Sequence, residues 1–179
     1  MLTIQVPAGA MVVLIGVAGS GKSTFASRHF DADAVVSSDR LRGVLAGDEA
    51  DQQATDAAFD RLHHWLEARL AAGTLAVVDA TNVDWIRRTE LISRARHYGR
   101  PAVAIVLDLP LDLCLTRNAA RPRTVGAAVI RRQHDELRRS FDRLDLEGFS
   151  TVYILRTELD VEQVRLEIEK GPVARALSS

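Results

Sequence analysis

The chain has 179 residues, 47% of them hydrophobic, and 23 Lys and Arg against 24 Asp and Glu give a formal net charge of −1. That size suits one soluble domain with a sheet covered on both faces, and that balance carries no global nucleic-acid signature. No apolar run approaches the roughly 20 residues that span a bilayer, and a single cysteine, Cys114, excludes an internal disulfide, so a cytoplasmic protein without membrane association is expected.

A weak strand is expected at 2–6 (LTIQV) and a firm one at 11–15 (MVVLI). The second runs directly into GVAGSGKS, in which Gly16, four residues, then Gly21-Lys22-Ser23 match the G-x-x-x-x-G-K-[ST] phosphate-binding pattern. Glycines let successive N–H groups turn inward on an anion, and a helix expected over 22–30 adds the positive end of its dipole. Gly16, Ala18, Gly19, Ser20, Gly21, Lys22, Ser23 and Thr24 are the candidate nucleotide triphosphate ligands, with Lys22 on the outer phosphates and the Ser23 hydroxyl on Mg²⁺. Only two lysines occur, Lys22 and Lys170, so Arg replaces Lys almost everywhere except where a phosphate needs a compact point charge.

The next strand, 34–38, ends in Ser-Ser-Asp39, followed by Arg40-Leu41-Arg42 and a helix expected at 40–46. Ligands of open parallel sheets gather beyond the carboxyl ends of the strands, which puts Asp39 beside the phosphate loop. There it either caps the following helix or takes the proton from an attacking hydroxyl. Arg42, three residues on, shares its helix face and suits an acceptor's phosphate. A helix over 54–72 carries Ala58, Leu62, Trp65, Leu66 and Leu70 on one stripe and stops at Gly73. His63 and His64 lie beside that stripe with no carboxylate or thiol at ligand spacing, and read as surface or core-edge residues.

The strand at 75–79 ends in Asp79-Ala80-Thr81-Asn82, before a helix at 84–98. Asp79 is placed to hold Mg²⁺ through its water shell, and Thr81 and Asn82 to contact an acceptor; all three equally suit the cap of the following helix. A strand at 102–108 precedes a helix at 111–118, in which Cys114 falls among apolar positions as a buried thiol. Arg117 and Arg121 are four apart, so a continuing helix would stack them on one face before Pro122 breaks the run; they read either as a solvated helix end or as a hinged lid that neutralises charge on a γ-phosphate. Arg131, Arg132, Arg138 and Arg139 follow on a helix over 125–143, a solvated face or an acceptor track. A last strand at 151–155 and a helix at 161–170 complete the alternation, and 171–179 reads as a tail or linker remnant. Strands alternating with longer helical patterns make this an α/β domain, spanning 1–170, with a parallel sheet.

Together, GVAGSGKSTFA, VVSSDRLRG, DQQATDAAFDRLHHWLEARLAAGTLAVVDATN, TRNAARPRTVGAAVIRRQ and EGFSTVYIL resemble the polynucleotide 5′-hydroxyl kinases, and most closely the kinase module of bacterial polynucleotide kinase-phosphatases. The resemblance covers nearly the whole chain. It implies a P-loop NTPase of adenylate-kinase-like fold, strand order 2-3-1-4-5, with helices on both faces and an arginine lid at about 117–135. It also implies transfer of the γ-phosphate of ATP or another NTP to the 5′-OH of an RNA or DNA end, in end healing. On the matching positions, Asp39 is the general base, Lys22 and Ser23 bind phosphates and Mg²⁺, and Arg42 lies near the acceptor. Arg117 and Arg121 are the lid arginines, and Gln52 helps hold the acceptor. The family often fuses this kinase to phosphatase and ligase modules. A small-metabolite or toxin-like kinase and a non-catalytic nucleotide-switched module are the competing readings.

Overall fold

A computed structural model describes residues 2–37 and 52–169, apart from the side chains of 52–59. The strand β2 (Met11–Ile15) sits at the centre of a five-stranded sheet. Its neighbours are β4 (Ala76–Asp79) and β5 (Ala102–Leu107), and the edges are β3 (Val35–Ser37) and β6 (Thr151–Leu155). All four pairings are parallel. The order β3-β4-β2-β5-β6 is the 2-3-1-4-5 arrangement expected, counting from Met11, and the P-loop kinase fold stands.

The central strands bury both faces, which is why their sequences are apolar without alternating. Met11, Val13 and Ile15 point to one side, where α2 (Gln52–Ala72), α3 (Trp85–His97) and α5 (Ala127–Ser140) pack through Leu62, Leu66, Leu70, Leu91, Ile92 and Leu137. Val12 and Leu14 point to the other, against Phe25 and Ala26 of α1 (Lys22–His29). A third cluster joins Val17 and Ala18 of the phosphate loop to Cys114 of α4 (Leu111–Ala119) and Ile130 of α5. Phosphate loop and arginine-bearing segment therefore share a core.

One element departs from expectation. The helix read over 161–170 is instead α6 (Glu158–Gln163) followed by a strand, β7 (Arg165–Ile168). β7 pairs in parallel with β1 (Thr3–Val6), the weak strand at the start of the chain, as a separate two-stranded sheet. Apolar residues at 161, 164 and 168 fit a helical period, but Val164, Leu166 and Ile168 fit a period of two equally well. The partner strand decides: Arg165 N–H donates to Leu2 O and Glu169 N–H to Val6 O, at 3.0 and 2.9 Å. At the helix start, Thr157 and Asp160 form a reciprocal capping box. The helix expected at 40–46 lies outside the described residues.

Candidate active site

The carboxyl ends of β2, β4 and β5 meet around the loop from Gly16 to Ser23. Gly21 closes the loop in the left-handed region (φ 95°) and caps α1. Gly19, also left-handed (φ 84°), lies so close to α4 that a Cβ there would stand 2.2 Å from the Cys114 carbonyl oxygen. Only glycine lets the loop pass that helix. The Lys22 ammonium donates to Val17 O at 2.9 Å and Ser20 Oγ at 3.4 Å, folded over the loop's own acceptors.

The strand exit after β4 is fastened to the loop. Gly16 N–H donates to Thr81 O at 2.9 Å, and Asn82, at positive φ (48°), donates its Nδ2 to Leu14 O at 2.7 Å. Neither residue caps α3: Asp84 does, accepting from Ile86 N–H. The buried guanidinium of Arg88 then locks the exit from beneath. It donates to the carbonyls of Asn82 and Val83 at 2.8 and 2.7 Å, and both carboxylate oxygens of Glu147 accept from it at 2.7 and 2.6 Å.

Among the described residues, three cavities open along this edge. The smallest, about 90 Å³, is lined by Gly19, Gly21, Lys22, Ser23, Asp79, Thr81, Arg121 and Gln133 among others. Asp79, 5% exposed, and the Ser23 hydroxyl offer hard oxygen donors there, which suits Mg²⁺, a cation that completes its octahedron with phosphate and water. A second cavity, about 300 Å³, shares Gly19, Gly21 and Arg121 with the first and continues past Thr24, Arg28, Arg117 and Glu158. The third, about 370 Å³, touches the first at Ala80 and lies between α2 and α3, lined by Leu62, His63, Asn82, Asp84, Arg87 and Glu90 among others.

The two arginines are not equivalent. Arg121 reaches both the small cavity and the nucleoside-sized one, whereas Arg117 lines only the latter and donates to Glu158 Oε2 at 2.6 Å. Their connecting segment is pinned by Asn118, which donates to Val125 O at 2.8 Å and accepts from Val125 N–H at 3.0 Å. Asp39 and Arg42 lie outside the described residues, and Gln52 opens α2 with its side chain outside them. Thr81 is brought to the small cavity. Burial pushes the Cys114 thiol up, as befits a structural cysteine.

Two residues escaped the sequence reading. Gln133 accepts from Ala18 N–H at 2.9 Å, and Arg88 carries the lock just described. Both are polar residues on apolar helix stripes: Gln133 between Ile130 and Leu137, Arg88 ahead of Leu91 and Ala95. That misfit is the signal that would have found them.

No helix among the described residues is long and apolar enough to cross a membrane. No curated protein matches the chain in sequence. Among solved structures, a sugar kinase from Janibacter sp. HTCC2649 superposes with a TM-score of 0.55 at 21% identity, covering 86% of each chain. The APS kinase CysC of Mycobacterium tuberculosis, solved with AMPPNP and APS, gives 0.52 at 20%, covering 87% of this chain and 92% of that one. A Pnkp1/Rnl/Hen1 complex gives 0.55 at 23%, covering 70% of this chain and 42% of its counterpart. Such identities speak for the fold alone, a P-loop kinase fold. The family model described as "AAA domain" matches residues 11–144, from the start of the central strand to four residues past the end of α5, and the chain belongs to that family.

Proposed function

We propose that the chain is a polynucleotide 5′-hydroxyl kinase, passing the γ-phosphate of ATP or another NTP to the 5′-OH of an RNA or DNA end. The observation that carries a transfer reaction is the adjacency of three cavities that share lining residues: nucleoside-sized, phosphate-sized, and a further one beyond β4 for the acceptor. Donor phosphates lie on the loop amides and Lys22. Bound Mg²⁺, held by Ser23 and, through water, by Asp79, would draw charge from the β- and γ-phosphate oxygens. Asp39 takes the proton from the acceptor hydroxyl as its oxygen bonds to the γ-phosphorus. The bond from that phosphorus to the β–γ bridging oxygen breaks, and ADP leaves with the electron pair. Arg121 faces the charge on the transferring group, and Arg42, Gln52 and Thr81 hold the acceptor. SSD-x-x-R, DATN and the R-N-x-x-R segment support a polynucleotide end as that acceptor.

A small hydroxyl metabolite is the second reading, and one observation favours it. Among the described residues, the acceptor-side cavity is walled by Leu62, Val78, Ile86 and Leu91, and carries the carboxylates of Asp84 and Glu90 beside one arginine, Arg87. Incubation with γ-labelled ATP, Mg²⁺ and either a 5′-OH oligonucleotide or a panel of sugars and sugar acids separates the two. Label on the oligonucleotide is expected, abolished by Asp39→Asn with ATP binding retained. Label on a small compound alone overturns the polynucleotide reading.

A further inference from the structure

The hydrogen bond between Ala18 and Gln133 sets more than a helix position. A glutamine amide has an acceptor side and a donor side. Ala18 N–H can only donate, so at 2.9 Å it fixes the oxygen of Gln133 towards the loop and turns the NH₂ group away from that amide. Gln133 lines the same 90 Å³ cavity as Lys22, Ser23, Asp79 and Arg121. Its helix is held against the loop at that point, since Ile130, one turn earlier, is fully buried with Val17, Ala18 and Cys114.

We propose that Gln133 is a γ-phosphate-binding residue, donating its Nε2–H to the terminal phosphate of the bound triphosphate while its carbonyl holds the loop amide of Ala18. This rests on the nucleotide-binding half of the proposed function and is independent of the acceptor. The position matters because ADP lacks the group Gln133 addresses. The residue then favours the donor over the product, and its contact lapses when the phosphate leaves. The lid arginines cannot supply the same discrimination cleanly, because Arg117 borders the nucleoside-sized cavity and Arg121 borders it as well as the small one.

The test is equilibrium binding of ATP and ADP to the intact chain, by calorimetry, for the wild type, Gln133→Leu and Gln133→Glu. Leucine keeps the bulk and loses both the donor and the acceptor for Ala18 N–H; glutamate still accepts from Ala18 but sets a negative charge against the phosphate, so it isolates the donor from the loop contact. Losing a hydrogen bond to a charged group should weaken ATP about tenfold or more in Gln133→Leu, and further in Gln133→Glu, with ADP affinity within about twofold of wild type. Retained ADP binding also reports that each variant is folded. Equal losses for both nucleotides would reduce Gln133 to a prop for the loop, and unchanged ATP affinity would remove it from the phosphate site; either overturns the proposal. A wild-type chain that binds neither nucleotide would instead defeat the kinase reading itself.

Discussion

Replacing Arg88 by methionine should destabilise the protein severely, although Arg88 lies outside all three cavities. The guanidinium is 0% exposed and makes four hydrogen bonds, two to Glu147 and one each to the carbonyls of Asn82 and Val83. Methionine fills similar volume but leaves the Glu147 carboxylate, 6% exposed, buried without its countercharge, and two carbonyls without their donor. Removing one partner of a buried pair costs about 3–5 kcal/mol, and for a chain of this size that lowers Tm by roughly 6–20 °C. Urea unfolding followed by circular dichroism measures it. The double variant Arg88→Met with Glu147→Leu is the decisive control, because apolar replacement of both partners is often near neutral. If the carboxylate is the source of the cost, the double variant recovers most of the loss. A single variant costing less than about 1 kcal/mol, or a double variant as unstable as the single, would refute the reasoning.

The arginine pair should separate kinetically: Arg121→Ala lowers kcat about 10²-fold or more, the scale of losing a transition-state donor. Arg117→Ala, whose side chain pairs with Glu158 at the nucleoside-sized cavity, chiefly raises KM for the nucleotide, and steady-state kinetics at saturating acceptor would expose the reverse pattern. At Asp108, burial pushes the carboxyl up, outweighing Arg138, Arg156 and His134, which pull it down. A carboxyl raised above its unfolded value stabilises the fold below the unfolded pKa, and that contribution is lost as pH rises through the folded pKa. Asp108→Asn should therefore gain stability relative to wild type as pH increases through that window, since Arg138 and Arg156 are more than half exposed and lose little. Thermal melts at pH 4 and pH 8 showing a larger gain at the lower pH would reverse the assignment.

How much of this was legible depended on whether a residue's role lay in its own stretch of chain. The phosphate loop and the buried strands announced themselves through glycine spacing and unbroken apolar runs, and the helix over 52–72 through Leu62, Leu66 and Leu70. The second sheet did not, because Val164, Leu166 and Ile168 suit either period and only pairing with Thr3–Val6 chooses. Thr81 and Asn82 were recognised as site-edge residues, yet it is the carbonyl of Thr81 and the side chain of Asn82 that tie the exit of β4 to β2 and the loop. Roles of that kind depend on atoms 65 to 68 positions away in the chain, beyond any local pattern.

The segment from Arg117 to about residue 135 reads in sequence as a hinged lid, and the structure attaches it more firmly than that word suggests. Asn118 clasps Val125, Ile130 is buried against the phosphate loop, Gln133 holds Ala18, and just past the segment, on the same helix, Arg138 pairs with Asp108. Swinging the whole segment away would expose Ile130, at about 1.5–3 kcal/mol, before any of the polar contacts are counted. Turning the Arg121 side chain costs far less, because it is exposed and its backbone is already fixed at the cavity mouth. Charge is therefore best brought to the transferring phosphate by rotation of a side chain on a rigid platform. A platform of that kind suits a reaction whose catalysis is positioning and electrostatics, since the donors need not be reassembled at each turnover.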